Sequence, residues 1–189
     1  LTPARKIWVV EDRDIAVLKA EKPSNIKPFV LLEGKPTKGE PVWALGYPAK
    51  QFQNMSMFGE ARASLDATLS DGIVSRIFEG SHSESDSKYQ TIQHTAEVGP
   101  GNSGGPLLNK CGNVIGMNTF LTISAGEIAD NDFFSIGSAG LLTLLNPRIA
   151  GLNSIKTCDP NDEPAGSGLV EEPKAEEELR ANDDLVEVK

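Results

Sequence analysis

Short runs of apolar and β-branched residues, broken by glycine and proline, restrict the fold of this chain more than any other feature. The chain has 18 glycines and 12 prolines among its 189 residues. Short apolar runs with this punctuation are typical of β-strands. We predict strands in residues 6–20 (two strands around a polar turn at 11–13), 29–32, 41–46, 67–69, 72–77, 89–93 and 114–121.

Only one segment has the character of a helix. Residues 139–145 are apolar, and Asn146-Pro147 ends the run. Many short strands with one late helix predict an all-β protein, either a sandwich or a pair of barrels. The length allows one sizeable domain or two small lobes around a cleft.

The acidic charge of the chain is concentrated at one end. The net charge is −9, from 27 acidic and 18 basic residues. Residues 159–189 hold 11 of those acids and 3 of those bases, which leaves 16 acids and 15 bases in residues 1–158. This balance disfavours nucleic acid and anionic membranes as partners. No apolar run reaches the roughly 18 residues that a membrane span needs.

Two cysteines, Cys111 and Cys158, are the whole cysteine content. They cannot by themselves form a four-ligand zinc site, and we expect neither a metal nor another cofactor. They can form one disulfide that closes a long loop, or remain two separate thiols. A disulfide would favour an oxidising location, periplasmic or secreted.

The most informative motif is the stretch Gly99-Pro100-Gly101-Asn102-Ser103-Gly104-Gly105-Pro106. A serine among glycines can expose its hydroxyl on a tight turn, and the N–H groups of Gly101 and Ser103 can then converge on one oxygen, as an oxyanion hole requires. The alternative is a glycine-rich turn that only joins two strands. The segment also satisfies G-x-S-x-G, but a nucleophile elbow needs a following helix and a downstream histidine. Pro106 and the absence of histidine after Ser103 exclude the elbow.

The segment from Ile92 to Thr119 resembles the nucleophile region of trypsin-like serine proteases, and it is most similar to their HtrA/Deg branch. Asp14-Ile15-Ala16-Val17-Leu18-Lys19 resembles the catalytic-aspartate motif of that family. Gly39–Pro48 resembles the strand that closes the first barrel, and Thr68–Ile77 the hairpin that opens the second. The resemblance implies a chymotrypsin-like double β-barrel, with the first barrel incomplete and one short C-terminal helix.

The resemblance also implies roles for single residues. Ser103 would be the nucleophile and Asp14 the acid that orients the base, with Gly101 and Ser103 as oxyanion-hole donors. Phe134, Ser135 and Ile136 would form an edge strand that pairs with the substrate backbone. The resemblance thus assigns an acid, a nucleophile and a substrate strand, but not yet a base.

No histidine precedes Asp14, although the family order is histidine, aspartate, serine. His82 lies in a polar segment, and His94 resembles a strand residue beside the specificity pocket. We therefore expect the base upstream of Leu1 and little or no activity from residues 1–189 alone, because a serine hydroxyl without a base is a poor nucleophile.

Specificity and function leave alternatives open. Glu97, six residues before Ser103, either lines the pocket floor and favours a basic substrate residue, or is simply exposed. The leading hypothesis is a serine endopeptidase that hydrolyses peptide bonds of protein or peptide substrates. The alternative is an inactive pseudoprotease that binds extended or unfolded peptides.

The resemblance divides the chain into three parts. We predict residues 1–60 as the remainder of an N-terminal barrel and 61–150 as a C-terminal barrel with the closing helix. Residues 151–189 are predicted to form an acidic, disordered tail, which acts as a solvated tether, as a pseudo-substrate or as a docking site for a partner. A homo-oligomer is an open possibility, since trimers are common in the family.

Overall fold

The computed structural model describes residues 4–20, 27–47, 67–80, 88–119 and 133–158. Within them lie ten strands, one turn of 3-10 helix at Glu11–Arg13 and one α-helix. The elements are β1 (Ala4–Val10), β2 (Ile15–Ala20), β3 (Leu31–Leu32), β4 (Pro41–Gly46), β5 (Thr68–Gly80), β6 (Tyr89–His94), β7 (Pro106–Asn109), β8 (Val114–Thr119), β9 (Phe133–Gly137), α1 (Ser138–Leu145) and β10 (Ser154–Ile155).

Six of these strands close into a barrel. The hydrogen-bonded order is β8-β7-β4-β5-β6-β9, and β9 pairs again with β8. Its interior is filled by fully buried aliphatic side chains: Val42, Val74, Ile92, Leu107 and Ile115. Closure leaves these strands without open edges, so the barrel buries an apolar core and satisfies its backbone groups at once.

The strand β4 belongs to this closed barrel, so the prediction that Gly39–Pro48 closes the first barrel is wrong. Residues Pro41–Gly46 pair with β5 on one side and with β7 on the other. Val42 and Ala44, two residues apart on one face of β4, point into the barrel core. This face is buried because β4 lies between β5 and β7. The predicted boundary between residues 60 and 61 separates β4 from the strands with which it forms the closed barrel.

The strand β5 is continuous over 13 residues, whereas the sequence predicts two short strands around Ser70-Asp71. Its first half, Thr68–Ile73, pairs with β4, and its second half, from Val74, pairs with β6. A change of partner thus replaces the expected hairpin. At Gly72, an added Cβ would collide with the backbone of Ala96, so only glycine fits where the strand changes partner.

The strands β1 and β2 form a separate two-stranded antiparallel sheet, as residues 6–20 predict. Ile15 packs with Tyr89, Ile136 and Leu141 in a second cluster beside the barrel. The guanidinium of Arg148 also lies 4.2 Å from the ring centroid of Trp8. These contacts attach the hairpin to the barrel through α1 and the segment that follows it.

The helix α1 begins one residue before the predicted segment and ends at the predicted residue. Leu141 and Leu142 are buried, and the Ser138 hydroxyl donates to the Leu32 carbonyl oxygen at 2.6 Å. In the described part of the chain, no helix has both the length and the apolar character needed to cross a membrane.

Residues 151–158 are joined to the barrel through β10 and through Cys158, so a disordered tail does not begin at residue 151. The strand β10 pairs in parallel with β3, and Cys111 forms a disulfide with Cys158. Of the two alternatives for the cysteines, the structure has the disulfide. The tail prediction for 159–189 falls outside the described residues.

Candidate active site

Ser103 lies in an exposed turn that leads into β7. The turn is closed by two backbone hydrogen bonds, from Asn102 N to Gly99 O at 3.0 Å and from Gly105 N to Asn102 O at 3.0 Å. Gly101 and Gly104 have φ values of 100° and 83°, a region that costs glycine little and other residues more. The glycines around Ser103 are therefore required by the shape of the turn that presents its hydroxyl.

The turn is held against the ends of β4 and β8. Gly104 N donates to Asn118 O at 2.8 Å, and Asn118 N donates to Gly105 O at 2.8 Å. A Cβ added at Gly46 would lie 2.6 Å from Oδ1 of Asn102, and one added at Gly105 would collide with the Leu45 carbonyl oxygen. These close approaches and hydrogen bonds leave the backbone around Ser103 little room to shift.

Two amides of the turn remain without a hydrogen bond in the part of the chain that the structure describes. The N–H groups of Asn102, Gly104 and Gly105 all have backbone acceptors, whereas those of Gly101 and Ser103 have none. These are the two donors that the sequence predicts for an oxyanion hole. Their availability is what such a site requires, since the donors must be free to bind the developing negative charge.

Asp14 is an exposed residue between the 3-10 turn and β2. It is the one non-glycine residue with a positive φ, 50°, among those that the structure describes. Aspartate tolerates this left-handed conformation better than most residues, and such strain is concentrated at functional sites. The buried Ile15 directly after it fixes this position beside the barrel. No hydrogen bond joins Asp14 to Ser103 within the described residues.

The prediction that Phe134–Ile136 form an edge strand is wrong. This stretch lies inside β9, which pairs with β6 on one side and with β8 on the other. Ser135, for example, stands opposite both Ile92 and Asn118. The backbone of β9 is therefore used within the barrel and does not offer a free edge to a substrate.

A buried polar network that the sequence did not predict runs from β9 towards the serine turn. The Ser135 hydroxyl donates to Asn118 Oδ1 at 3.0 Å and lies 3.1 Å from His94 Nε2. Asn118 in turn holds Gly104 and Gly105 through its backbone. The three side chains are at most 1% exposed. A polar residue in an otherwise apolar strand, such as Asn118 in β8, is the sequence signal that could have indicated the network.

His94 is placed where it cannot act as the base for an exposed serine. It is fully buried and stacks on Phe133, with ring centroids 6.4 Å apart. Burial lowers the pKa of the imidazole to about 4, and a backbone contact with Ala96 offsets only part of this effect. His94 is thus neutral at physiological pH, and its side chain is part of the buried interior of the barrel.

Two residues singled out in the sequence remain, Glu97 and His82. Glu97 is exposed between β6 and the serine turn, and His82 falls outside the described residues. Within the described ranges, no group of three or more His, Cys, Asp or Glu side chains is arranged to hold a metal ion. The residues that the structure does arrange around Ser103 are backbone donors and a polar network, which suit acyl-transfer chemistry.

Residues 2–117 match the family described as the trypsin-like peptidase domain, and the chain belongs to that family. Within it, the chain is similar to Protease Do-like 1, chloroplastic, of Arabidopsis thaliana, at 33% identity over 127 residues, which are 65% of this chain and 26% of that one. It is also similar to the probable periplasmic serine protease do/HhoA-like of Haemophilus influenzae, at 34% identity over 124 residues, or 65% of this chain and 24% of that one.

A solved structure supports the fold. The HtrA-type protease AlgW with decapeptide superimposes with a TM-score of 0.57 at 24% identity, over 77% of this chain and 40% of that one. The fold is therefore chymotrypsin-like, mostly β with a closed six-stranded barrel and one helix, and the relatives are HtrA/Do/Deg serine proteases. The chain spans about a quarter of the length of the two curated relatives.

Proposed function

We propose that the chain is the greater part of a serine endopeptidase domain that hydrolyses peptide bonds, with Ser103 as nucleophile and Asp14 as the acid of the triad. The Ser103 hydroxyl attacks the scissile carbonyl carbon while the base takes its proton. The N–H groups of Gly101 and Ser103 stabilise the oxyanion, the protonated base gives its proton to the leaving amine, and water then hydrolyses the acyl-enzyme.

The state of the serine turn is the observation that carries this proposal. The turn exposes Ser103 and leaves the Gly101 and Ser103 amides unbonded among the described residues, while every other amide from Asn102 to Gly105 has an acceptor. A turn that only connected two strands would gain nothing from this selective pattern. The left-handed Asp14 supports the proposal independently.

The base is proposed to be a histidine that precedes Leu1 in the complete protein. His94 is committed to the barrel interior through Ser135, and the family order requires the histidine before Asp14. Residues 1–189 alone should then lack measurable peptidase activity, because loss of one triad member costs about 10⁴-fold or more.

The substrates are proposed to be proteins, because the relatives are named as proteases. The Cys111–Cys158 disulfide supports a periplasmic or secreted location, in line with the relative named as periplasmic.

The proposal is tested with the longer protein that includes the chain upstream of Leu1. Cleavage of casein is compared for the wild type, for Ser103→Ala and for Ser75→Ala, a control serine in β5. We expect Ser103→Ala to lower the rate by at least about 10³-fold. Ser75→Ala should leave it within about twofold, since Ser75 is half-buried in β5 and lies outside the serine turn.

Each outcome decides between the two candidate functions. Equal cleavage by the wild type and Ser103→Ala would exclude Ser103 as the nucleophile. No cleavage by the wild type, together with retained binding of unfolded casein, would favour a pseudoprotease that binds peptides. Activity of residues 1–189 alone at the rate of the longer protein would exclude an upstream base.

A further inference from the structure

A groove with a volume of about 660 Å³ lies beside residues 156–158, the last described residues, where three separate segments of the chain meet. One wall is the loop between β3 and β4, from Gly34 to Glu40. Lys110, in the turn between β7 and β8, and residues 156–158 after β10 complete the groove. None of the residues assigned to the active site lines it, so the groove has no role in the proposed catalysis.

The groove is strongly basic. Four exposed lysines line it, Lys35, Lys38, Lys110 and Lys156. In the described ranges no ion pair joins any of the four to a carboxylate. Glu40, the acidic residue of the lining, is already engaged, because its Oε2 accepts from the Thr37 N–H at 2.9 Å. Four cations outnumber the one carboxylate of the lining and create a positive potential that attracts an anion.

The disulfide brings two of the segments that carry these lysines together. Cys111 directly follows Lys110, and its bond to Cys158 brings the segment with Lys156 to the same place, across a sequence separation of 47 residues. Pairing of β10 with β3 sets that segment beside the loop that carries Lys35 and Lys38. The convergence therefore belongs to the fold and is not a local run of lysines in the sequence.

The strongest negative charge of the chain begins at the rim of this groove. Cys158 lines the groove, and the next residues along the chain include three acids, Asp159, Asp162 and Glu163. Residues 159–189 carry 11 acids against 3 bases, while the rest of the chain is almost neutral. The negative charge of this segment is thus opposite to the positive charge of the groove beside which the segment begins.

We propose that the acidic segment 159–189 binds in cis to the lysine groove formed by Lys35, Lys38, Lys110 and Lys156. Because the segment is attached at Cys158, its carboxylates are present at the groove at a high effective concentration, on the order of millimolar, which a free anion would have to exceed. The contact is ionic and exposed, so it weakens as salt screens it. Its consequence is that the basic face of the domain is neutralised by the chain itself.

The test is zero-length carbodiimide cross-linking of the full chain, read by mass spectrometry. An equal mixture of ¹⁴N- and ¹⁵N-labelled chains separates links within one chain from links between chains. The protein carries Ser103→Ala, so the result does not depend on peptidase activity. Lys35 and Lys38 are the reporters, because Lys156 is too close in sequence to Asp159 to be informative. Lys6 and Lys19, exposed in the β1–β2 hairpin, are the controls.

We expect links from Lys35 and Lys38 to acids of 159–189 to be at least fivefold more frequent than links from Lys6 and Lys19, after correction for the acetylation rate of each lysine. Each of these links should join two residues with the same nitrogen label, and the number of links should fall at least threefold in 0.5 M NaCl. The variant Lys110→Gln/Lys156→Gln should reduce them at least twofold, and the control Lys6→Gln/Lys19→Gln should leave them unchanged.

Three results would overturn the proposal. They are equal linking of reporter and control lysines, links of mixed isotope that show binding between chains, and links insensitive to both salt and Lys110→Gln/Lys156→Gln. Circular dichroism and the mass of the intact disulfide verify that each variant is folded, so a loss of links cannot be attributed to unfolding. None of these results bears on Ser103 or Asp14, so the proposed peptidase function is tested separately.

Discussion

At the scale of single residues, burial decides the role of each polar side chain. Ser103 is exposed in a turn, whereas His94, only nine positions earlier in the sequence, is fully buried and bonded to Ser135. Both belong to residue types that catalyse acyl transfer. Their surroundings make one a candidate nucleophile and the other a structural member of the barrel.

The burial of His94 predicts a pH-dependent stability. Its pKa is about 4 in the folded protein, below its ordinary value of 6.5, so the unfolded chain binds the proton more readily. Stability from this residue is complete above about pH 6.5 and is lost as the pH falls towards 4. The loss amounts to about 3 kcal/mol, measurable by urea unfolding at pH 7.5, 5.5 and 4.

Variants of the two histidines isolate this effect. His94→Gln should be less stable at pH 7.5 but should lose about 3 kcal/mol less than the wild type on acidification. His82→Gln, which changes the other histidine of the sequence, should follow the wild type. An acid-induced loss that is the same in His94→Gln and in the wild type would show that His94 is not its source.

At the scale of elements, close backbone approach determines how the long strand β5 changes partners. Gly72 lies one residue before Ile73, the last position that pairs with β4, and its Cα faces the backbone of Ala96. The change of partner lets one strand serve both neighbours in the closed barrel. A side chain at this point would separate β5 from the segment after β6.

Gly72→Ala should therefore destabilise the barrel by about 1–3 kcal/mol, the usual cost of forcing extra volume into a packed region. The matched control is Gly140→Ala in α1, where an added Cβ meets no atom closer than 3.8 Å. Because alanine favours helix, this control should be neutral or stabilising by up to about 1 kcal/mol. Urea unfolding measures both, and equal effects would refute the steric argument.

At the scale of the whole molecule, one covalent bond ties the end of the described chain to the barrel. The Cys111–Cys158 disulfide joins residues 47 apart, and β10 adds a parallel pairing with β3. In the chain-entropy description, a loop of this length restricts the unfolded state by about 4 kcal/mol. The bond also assembles the lysine groove.

The double variant Cys111→Ala/Cys158→Ala should accordingly lose about 4 kcal/mol of unfolding free energy, measured by urea unfolding. The reduced wild type is the control, and its unfolding free energy should equal that of the variant. A variant as stable as the oxidised wild type would show that the β10–β3 pairing alone holds the segment.

Local patterns predicted most of the elements. The hairpin around residues 11–13, the strand Pro41–Gly46 and the helix to Leu145 follow from short-range signals such as alternation, turn residues and a terminating proline. The glycine-flanked serine turn is also local, since its shape depends on the glycines next to Ser103. These features could be predicted because the residues that determine them are neighbours in the sequence.

The errors concern features that depend on distant neighbours. Which barrel contains β4, whether β9 has one partner or two, and whether β5 is one strand or two depend on pairings between segments far apart in the chain. The same is true of residues 151–158, which look like the start of a tail but gain order from β3 and Cys111.

The sequence by itself determined the all-β class, the trypsin-like motifs and the identity of Ser103 and Asp14 as candidates, because each depends on a few adjacent residues. Only the tertiary structure decided that His94 is buried, that the Gly101 and Ser103 amides are left without partners in the described chain, and that four lysines share one groove. The physical reason is barrel closure and the disulfide: both bring together residues far apart in the chain, and burial and charge then follow from those contacts.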